Sequence, residues 1–562
     1  MSDLVERISE HVERERERFS VPGCSVVVVA DGEVVLAEGF GQRNVDGKEA
    51  ATAQTLFPIG SSTKTFTSAL CAALVDDGKL DLDQPVRELL PGFRLCDPIA
   101  SELLSVRDCL SHRSGLPRHD LLWYAGEGRL SREDLIAALP HLAPTKPFRQ
   151  AWQYNNLLYT TAGYLAGKLS GGTYEEAVRE RLLEPLGMTR TNFRVADSEK
   201  DADHSRPYVL TAEDEIKEVP YAHLDLVGPA GCINSCATEL GPWLLTLLGK
   251  GVDGRTQLLS DAVLGQMQTP AMPLPAGGLP TAGTAVGYAL ALVVEDYRGH
   301  RVVHHGGNID GFSSQVAVIP AAGLGVAVLT NLGASPLRDA LPYVLFDELL
   351  GLDPKPHGEQ HYGQWSALRK GAAQAKDSKA ATAKPLAAVR AVDDYVGLYR
   401  HAGYGDVRIE AADGGLRGSY GSLEGPLEHR HLEVFEMVTV AGGEENRIPV
   451  QFTHDIEAEV DALQIPLEGQ LPPQRFVRQA DTAHLTDGVL DGLVGAYRLD
   501  ALEVIVSRRA EQEVMIGIAG GAPRAVRPVK GTTFALDGAQ LEFTDDGRLL
   551  TPFGEFVKQP KA

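Results

Sequence analysis

Ser61 and Lys64 are the residues of this chain whose types and spacing most directly suggest chemistry. A serine hydroxyl becomes a nucleophile only with a base beside it, and a lysine serves as that base only when its pKa is pushed down. Three residues apart on a helix, both side chains leave the same face. The stretch Phe57-Pro-Ile-Gly-Ser-Ser-Thr-Lys-Thr-Phe-Thr-Ser68 opens such a helix. Phe66, Leu70, Ala73 and Leu74 recur at three and four positions until Asp77-Gly78 stops the pattern. Ser61 then falls in the first turn, where unpaired N–H groups and the positive dipole end favour a developing oxyanion. Ser62 points about 100° away round the helix and is expected to matter little. A Ser-x-x-Lys arises by chance roughly once in a chain this long, and its bland alternative is a capped helix with a solvated lysine.

Two further constellations bear on that choice. Tyr154 and Asn156 form the chain's single Tyr-x-Asn pair, in a loop before the helical run 160–169, where both can face one cavity. The alternative for them is an aromatic anchor and a turn-forming Asn. His305-Gly306-Gly307 stands at a strand edge, and the glycine pair lets a substrate approach the strand's backbone closely. His112 reads as a helix-end histidine bonded to backbone rather than a catalytic one.

The elements that must position these residues are legible in outline. An amphipathic helix over 3–18 ends before Pro22. A hairpin follows, Cys24–Ala30 and Glu33–Ala37 about Asp31-Gly32. Gly39-Phe-Gly41 reads as a strand end, since it lacks the third glycine of a dinucleotide loop. Residues 80–200 look helical and loop-rich. Residues 284–295 read as one strand, 301–330 as three antiparallel strands, and 336–351 as a closing helix. Lys, Ala and Gln dominate 355–391, a helical linker with Trp365 as its large anchor. Beyond it short strands repeat: Tyr395-Val-Gly-Leu-Tyr-Arg400 recurs as Leu493-Val-Gly-Ala-Tyr-Arg498, and Gln451-Phe-Thr-His-Asp455 as Glu542-Phe-Thr-Asp-Asp546. Two related antiparallel barrels fit.

Composition narrows the class. A length of 562 residues with 43% hydrophobic and 23% charged content describes a multi-domain globular protein. The net charge of −23 would repel nucleic acid and anionic membranes. The charged N-terminus lacks the apolar core of a signal peptide, and no stretch approaches membrane-spanning length, so a cytoplasmic location is expected. The six cysteines read as reduced, mostly buried thiols; Cys232 and Cys236 lack a second ligand pair for zinc.

With Ser61-x-x-Lys64, Tyr154-x-Asn156 and His305-Gly306-Gly307 in this order, residues 5–350 resemble the serine penicillin-recognising superfamily, which includes class C β-lactamases, D,D-carboxypeptidases, related esterases and aminopeptidases. Leu110-Ser-His-Arg-Ser-Gly-Leu116 and Pro185-Leu-Gly-Met188 support it. The resemblance implies an α/β (α+β) β-lactamase-like catalytic domain, an antiparallel sheet with an α-rich insertion, over 1–353. A linker over 354–391 and two lipocalin-like β-barrels over 392–481 and 482–562 complete the plan. It implies Ser61 as acylated nucleophile, Lys64 as proton acceptor, Tyr154 as shuttle to the leaving group and Asn156 as holder of a substrate amide. The backbone N–H groups of Ser61 and Asn308, beside Gly306 and Gly307, would form the oxyanion hole.

His305 replaces the family's commoner lysine in the third motif. A histidine is only partly charged near neutrality, which weakens the case for penicillins and carboxylate-ended peptides. Leu-Asn occurs nowhere, so a class A deacylation route is out. Two β-domains behind a His-x-Gly motif resemble three-domain D-aminopeptidases, in which a loop of the last barrel restricts the site. Gly517–Ala525, with Gly520, Gly521 and Arg524, is the matching segment; a plain hairpin loop is the alternative. The reading is a serine acyl hydrolase without metal or cofactor, acting on a small-molecule or short-peptide substrate. D-Aminopeptidase-like activity leads; an esterase, transacylase or β-lactamase, and an idle binding module, are the alternatives. Nucleic-acid and membrane partners are not expected; a homo-oligomer is compatible.

Overall fold

The computed structural model describes residues 2–252, 257–275, 282–380, 390–412, 414–441, 444–480, 485–510, 513–537 and 539–560. Its first unit is built on an eight-stranded antiparallel sheet. Strand β1 (Gly23–Ala30) pairs with β2 (Glu33–Asn44) across the expected Asp31-Gly32 turn. Strands β3 (Thr284–Tyr288), β4 (Val293–Tyr297), β5 (His300–Ile309), β6 (Phe312–Ile319) and β7 (Leu324–Thr330) form the rest. Their order is Glu49–Ala50, β2, β1, β7, β6, β5, β4, β3. Every residue of β1 is buried. Val27 and Val29 join one apolar core while Val26 and Val28 join another, the period-2 alternation of a strand covered on both faces. Helices α1 (Ser2–Arg18) and α6 (Leu337–Leu349) cover the second face, and α5 (Ala237–Leu247) the first.

Helix α2 (Thr63–Asp76) lies between the sheet and the α-rich part. The sequence pattern suggests one apolar face, but every residue from Thr63 to Leu74 is buried. The polar members on its other faces are satisfied internally. Thr67 donates to Pro229 O at 2.6 Å, and Ser68 to Leu290 O at 3.1 Å. Phe66 stacks on Trp243 of α5 with ring centroids 3.8 Å apart. Helices α3 (Asp120–Gly126) and α4 (Asn156–Ser170) belong to the α-rich insertion, which otherwise consists of short helices and loops.

The structure corrects three local expectations. Residues 284–295 are not one strand but the hairpin β3–β4, turning at Ala289–Leu292 with Ala289 N–H donating to Leu292 O at 2.7 Å. That turn carries no Gly, Asn or Pro because it is buried; Ala291 adopts φ 69° itself. Gly39-Phe-Gly41 does not end a strand, since β2 runs through it to Asn44. The linker begins as α7 (His357–Ala380), laid against the first unit with Trp365 6.2 Å from Phe19; residues 381–389 lie outside the described residues.

The repeat has a structural meaning. Each copy is a short helix leading into the first strand of a β unit: Val392–Tyr395 into Gly397–His401, and Asp487–Leu493 into Gly495–Leu499. In both, the strand tyrosine donates back to the helix end, Tyr399 to Tyr395 O at 2.7 Å and Tyr497 to Leu493 O at 2.8 Å. The first of these two β units is a closed eight-stranded antiparallel barrel. The second is a half-barrel of nine strands whose edge strands, Arg524–Ala525 and Arg527–Lys530, are consecutive in the chain and make no ladder with each other.

Candidate active site

The nucleophile turn is fixed before α2 begins. Phe57-Pro58 pairs with Asn234-Ser235, and Ile59 N–H donates to Ile233 O at 2.9 Å. A single 3₁₀ turn, Gly60–Ser62, then carries Ser61, with Gly60 at φ 50°. Ser61 thus sits one short turn ahead of α2 rather than inside it. The turn presses against β5: a Cβ on Gly60 would lie 3.0 Å from Asn308 N, and one on Gly307 only 1.8 Å from Ile59 O. Gly307 is therefore required by packing, because no side chain fits between strand and turn.

Ser62 has a role the sequence does not suggest. It is fully buried; its hydroxyl lies 2.8 Å from Ser314 Oγ and donates to His305 O at 3.2 Å. Ser314 in turn donates to Ile59 O at 2.6 Å. These bonds tie the turn to β5 and β6.

Lys64 Nζ lies 3.0 Å from Ser61 Oγ, 2.8 Å from Asn156 Oδ1 and 2.8 Å from Ala230 O. The last two atoms only accept. The Asn156 amide is oriented by Asp120, whose Oδ1 accepts from Asn156 Nδ2 at 3.0 Å. Burial pushes the Lys64 amine well below its usual range, and the Arg118 charge adds to the shift while Asp120 opposes it. A neutral amine has two N–H bonds and one lone pair. With both N–H bonds directed at Asn156 and Ala230, the lone pair faces Ser61. This is the arrangement a general base requires.

Tyr154 lies over this pair, with Lys64 Nζ 4.8 Å from its ring centroid and the Arg118 guanidinium also at 4.8 Å. Burial pushes its phenol up to about 12, against the effects of hydrogen bonding to Ser61 and of the Arg118 charge. It is a proton donor at neutral pH. His112 stacks on it at 4.2 Å and accepts from Asn155 N–H at 3.1 Å, the backbone-bonded role expected of it.

His305 is buried, and its Nδ1–H donates to Gly306 O at 2.7 Å. Its Nε2 accepts from Tyr288 Oη–H at 3.0 Å. Burial, then the Lys64 charge, hold it well below the usual histidine range. The partial charge expected near neutrality is thus corrected: this histidine is neutral and offers no cation to a substrate carboxylate. β4 pairs with β5 only as far as His304, so residues 305–309 have a strand partner, β6, on one side alone, and Gly307 O accepts instead from Arg338. Asn308 turns its side chain away, accepting from Ser313 Oγ at 2.9 Å and Ala334 N at 2.7 Å.

Ser61, Asn156 and Asn308 line a cleft of about 330 Å³ together with Gly60, Arg118, Asp120, Trp123, Tyr124 and Asp310. Arg118 and Asp120 are the residues sequence reasoning missed. They follow the Ser-Gly-Leu-Pro break with no periodicity to flag them. Among the described residues, none that lines the cleft belongs to the half-barrel. Gly520 lies on an exposed turn, with Gly521 just after it and Arg524 in the exposed edge strand, where Arg524 pairs with Asp537; none of the three is among the described residues that line the cleft. The first barrel reaches the rim instead. Its Ser422 N–H donates to Ala125 O at 2.8 Å, and its Glu468 accepts from His119 N–H at 3.0 Å.

Among the described residues, no group of three or more His, Cys, Asp or Glu could hold a metal ion, and no helix is long and apolar enough to cross a membrane. The six cysteines are free thiols; five are buried and Cys96 is exposed.

Comparison with known proteins gives the family and the fold. The chain is 30% identical over 368 residues to unguisins hydrolase ungD' of Aspergillus campestris, a match covering 62% of this chain and 66% of that protein, just under two thirds of its length. The octameric penicillin-binding protein homologue of Pyrococcus abyssi has a similar fold, with TM-score 0.56 and 23% identity over 84% of this chain and 100% of that one. So does the D-amino acid amidase of Ochrobactrum anthropi SV3 with D-phenylalanine, with TM-score 0.52 and 23% identity over 62% and 98%. A domain of unknown function, DUF3471, matches residues 381–478. The beta-lactamase family model matches residues 8–349, more than half of the chain, which therefore belongs to the β-lactamase family.

Proposed function

We propose that the chain hydrolyses small amide or ester substrates through an acyl-enzyme on Ser61, as a D-aminopeptidase-like peptidase or amidase. The observation that carries this reading is Lys64 Nζ held 3.0 Å from Ser61 Oγ, with Asn156 Oδ1 and Ala230 O each 2.8 Å away to accept its N–H bonds. Ser61 Oγ attacks the substrate carbonyl as its proton passes to Lys64. The N–H groups of Ser61 and Asn308 receive the oxyanion. Tyr154 delivers a proton to the leaving group, and water then releases the acyl group. The hydrolase name of the Aspergillus relative supports the reaction class.

Charge in the cleft supports the substrate class. Arg118 and Asp120 line the cleft as a pair 2.5 Å apart, Asp310 lines it too, and burial disfavours the charged form of His305. Such a wall favours neutral or amine-bearing substrates over carboxylates. Steady-state kinetics on p-nitrophenyl esters, D- and L-aminoacyl anilides and a cephalosporin test this. Faster turnover of the cephalosporin than of every ester and anilide would replace the reading with a β-lactamase. An esterase or transacylase remains the second reading, favoured if esters alone are cleaved. Domain boundaries at 353, 391 and 481, a cytoplasmic location and a homo-oligomer complete the proposal; sedimentation of the full chain tests the last.

A further inference from the structure

The first barrel grips the helix that walls the cleft at both of its ends. Helix α3 contributes Asp120, Leu121, Trp123 and Tyr124 to the cleft. At its start stands His119, fully buried, with φ 50°, a left-handed conformation costly for a residue with a side chain. Three bonds hold it there. Its N–H donates to Glu468 at 3.0 Å, its Nε2–H donates to Ala143 O at 3.2 Å, and its Nδ1 accepts from Tyr404 Oη–H at 2.6 Å. Glu468 and Tyr404 both belong to the barrel. At the far end of α3, Ser422 N–H donates to Ala125 O at 2.8 Å and Arg129 donates to Gly421 O at 2.6 Å.

His119 is flanked in the chain by Arg118 and Asp120. Arg118 stacks on Tyr154, and Asp120 orients Asn156, which in turn takes one N–H of Lys64. Resting on the proposed acyl-enzyme reading, we propose that the first barrel is a clamp: Glu468 and Tyr404 are positioning residues that fix His119, and through Arg118 and Asp120 set the geometry of Tyr154, Asn156 and Lys64. This gives the DUF3471 region a task in a chain whose catalytic groups all lie elsewhere.

The groups facing Lys64 are Arg118, Asp120, Asn156, Tyr154 and Tyr159 from the α-rich insertion, Ser61 and Ala230 O from the adjoining turns, and the neutral rings of His112 and His305. Of the two charged neighbours Arg118 has the larger effect, and it favours the neutral amine. Freeing α3 should therefore raise the pKa of Lys64 and move the acid limb of the kcat/KM profile to higher pH.

The test uses the full chain with Tyr404→Phe, Glu468→Gln and the pair combined, and Arg417→Gln on the barrel's exposed side as control. We expect kcat/KM for p-nitrophenyl acetate to fall about ten- to a hundredfold in the double variant, mainly through kcat. Its acid limb should move up, with the control unchanged. Amide hydrogen exchange across 118–126 should also quicken in the double variant; this readout needs no activity, so it still tests the clamp if Ser61 is not the nucleophile. Tyr404→Phe removes one hydroxyl only and keeps the test open if the double variant folds poorly. Unchanged exchange across 118–126 would overturn the clamp, as would a lower Tm with kcat and the acid limb unmoved.

Discussion

The Lys64 amine has three neighbours, and its protonation decides what Ser61 meets. Deprotonated, it turns a lone pair to the hydroxyl; protonated, it turns a third N–H there and the base is lost. Because burial lowers the folded pKa, the base form persists well below the unperturbed lysine pKa of about 10.4. Activity should persist well below the ordinary lysine range and fall as pH drops through the lowered folded pKa, which a pH–kcat/KM profile reads. Lys64→Arg, charged at every accessible pH, should lose several orders of magnitude in kcat. Ser62→Ala should keep kcat within about tenfold yet cost roughly 1–3 kcal/mol in denaturant unfolding, since Ser314 and His305 O lose a buried partner. His305→Lys should move preference toward carboxylate-bearing substrates, measured as the ratio of kcat/KM for succinylated and aminoacyl anilides.

Strands and helices carry the next set of expectations. Gly307→Ala places a Cβ 1.8 Å from Ile59 O, so β5 must part from the nucleophile turn. Circular dichroism melting should show lost stability, and activity should fall with it. Glu295 on β4 is buried and accepts from Tyr343 Oη–H; burial raises its carboxyl to about 7. A raised acid stabilises the fold below the unfolded pKa of about 4.3, and that stability is lost as pH rises through about 7. Glu295→Gln should flatten the pH dependence of urea unfolding in that window.

At this scale the sequence spoke clearly where a signal was local. Asp31-Gly32 marked its hairpin, and the spacing of Ser61 and Lys64 marked one face of a helix. It was silent where burial replaced turn chemistry, as at Ala289–Leu292, and where a helix was buried all round, as α2 is. Tyr154, Asn156 and His305 could be picked out by short motifs. Arg118, Asp120 and Glu468 could not, because His119 and Glu468 meet across 349 residues of chain.

In the whole molecule, three units divide the work. The sheet and α-rich insertion hold every group placed at the reaction. The closed barrel touches the cleft wall, while the half-barrel supplies none of the described residues lining the cleft. Deleting Gly520–Arg524 should leave KM and size selectivity for anilides and esters unchanged, whereas a lid would have widened both. The central claim is a covalent one, and intact-mass measurement after a p-nitrophenyl ester pulse, followed by peptide mapping, tests it most directly. The account predicts one acyl group per chain on the peptide containing Ser61, absent from Ser61→Ala and still formed by Ser62→Ala; an acyl group on any other residue, or labelling that survives Ser61→Ala, would contradict it.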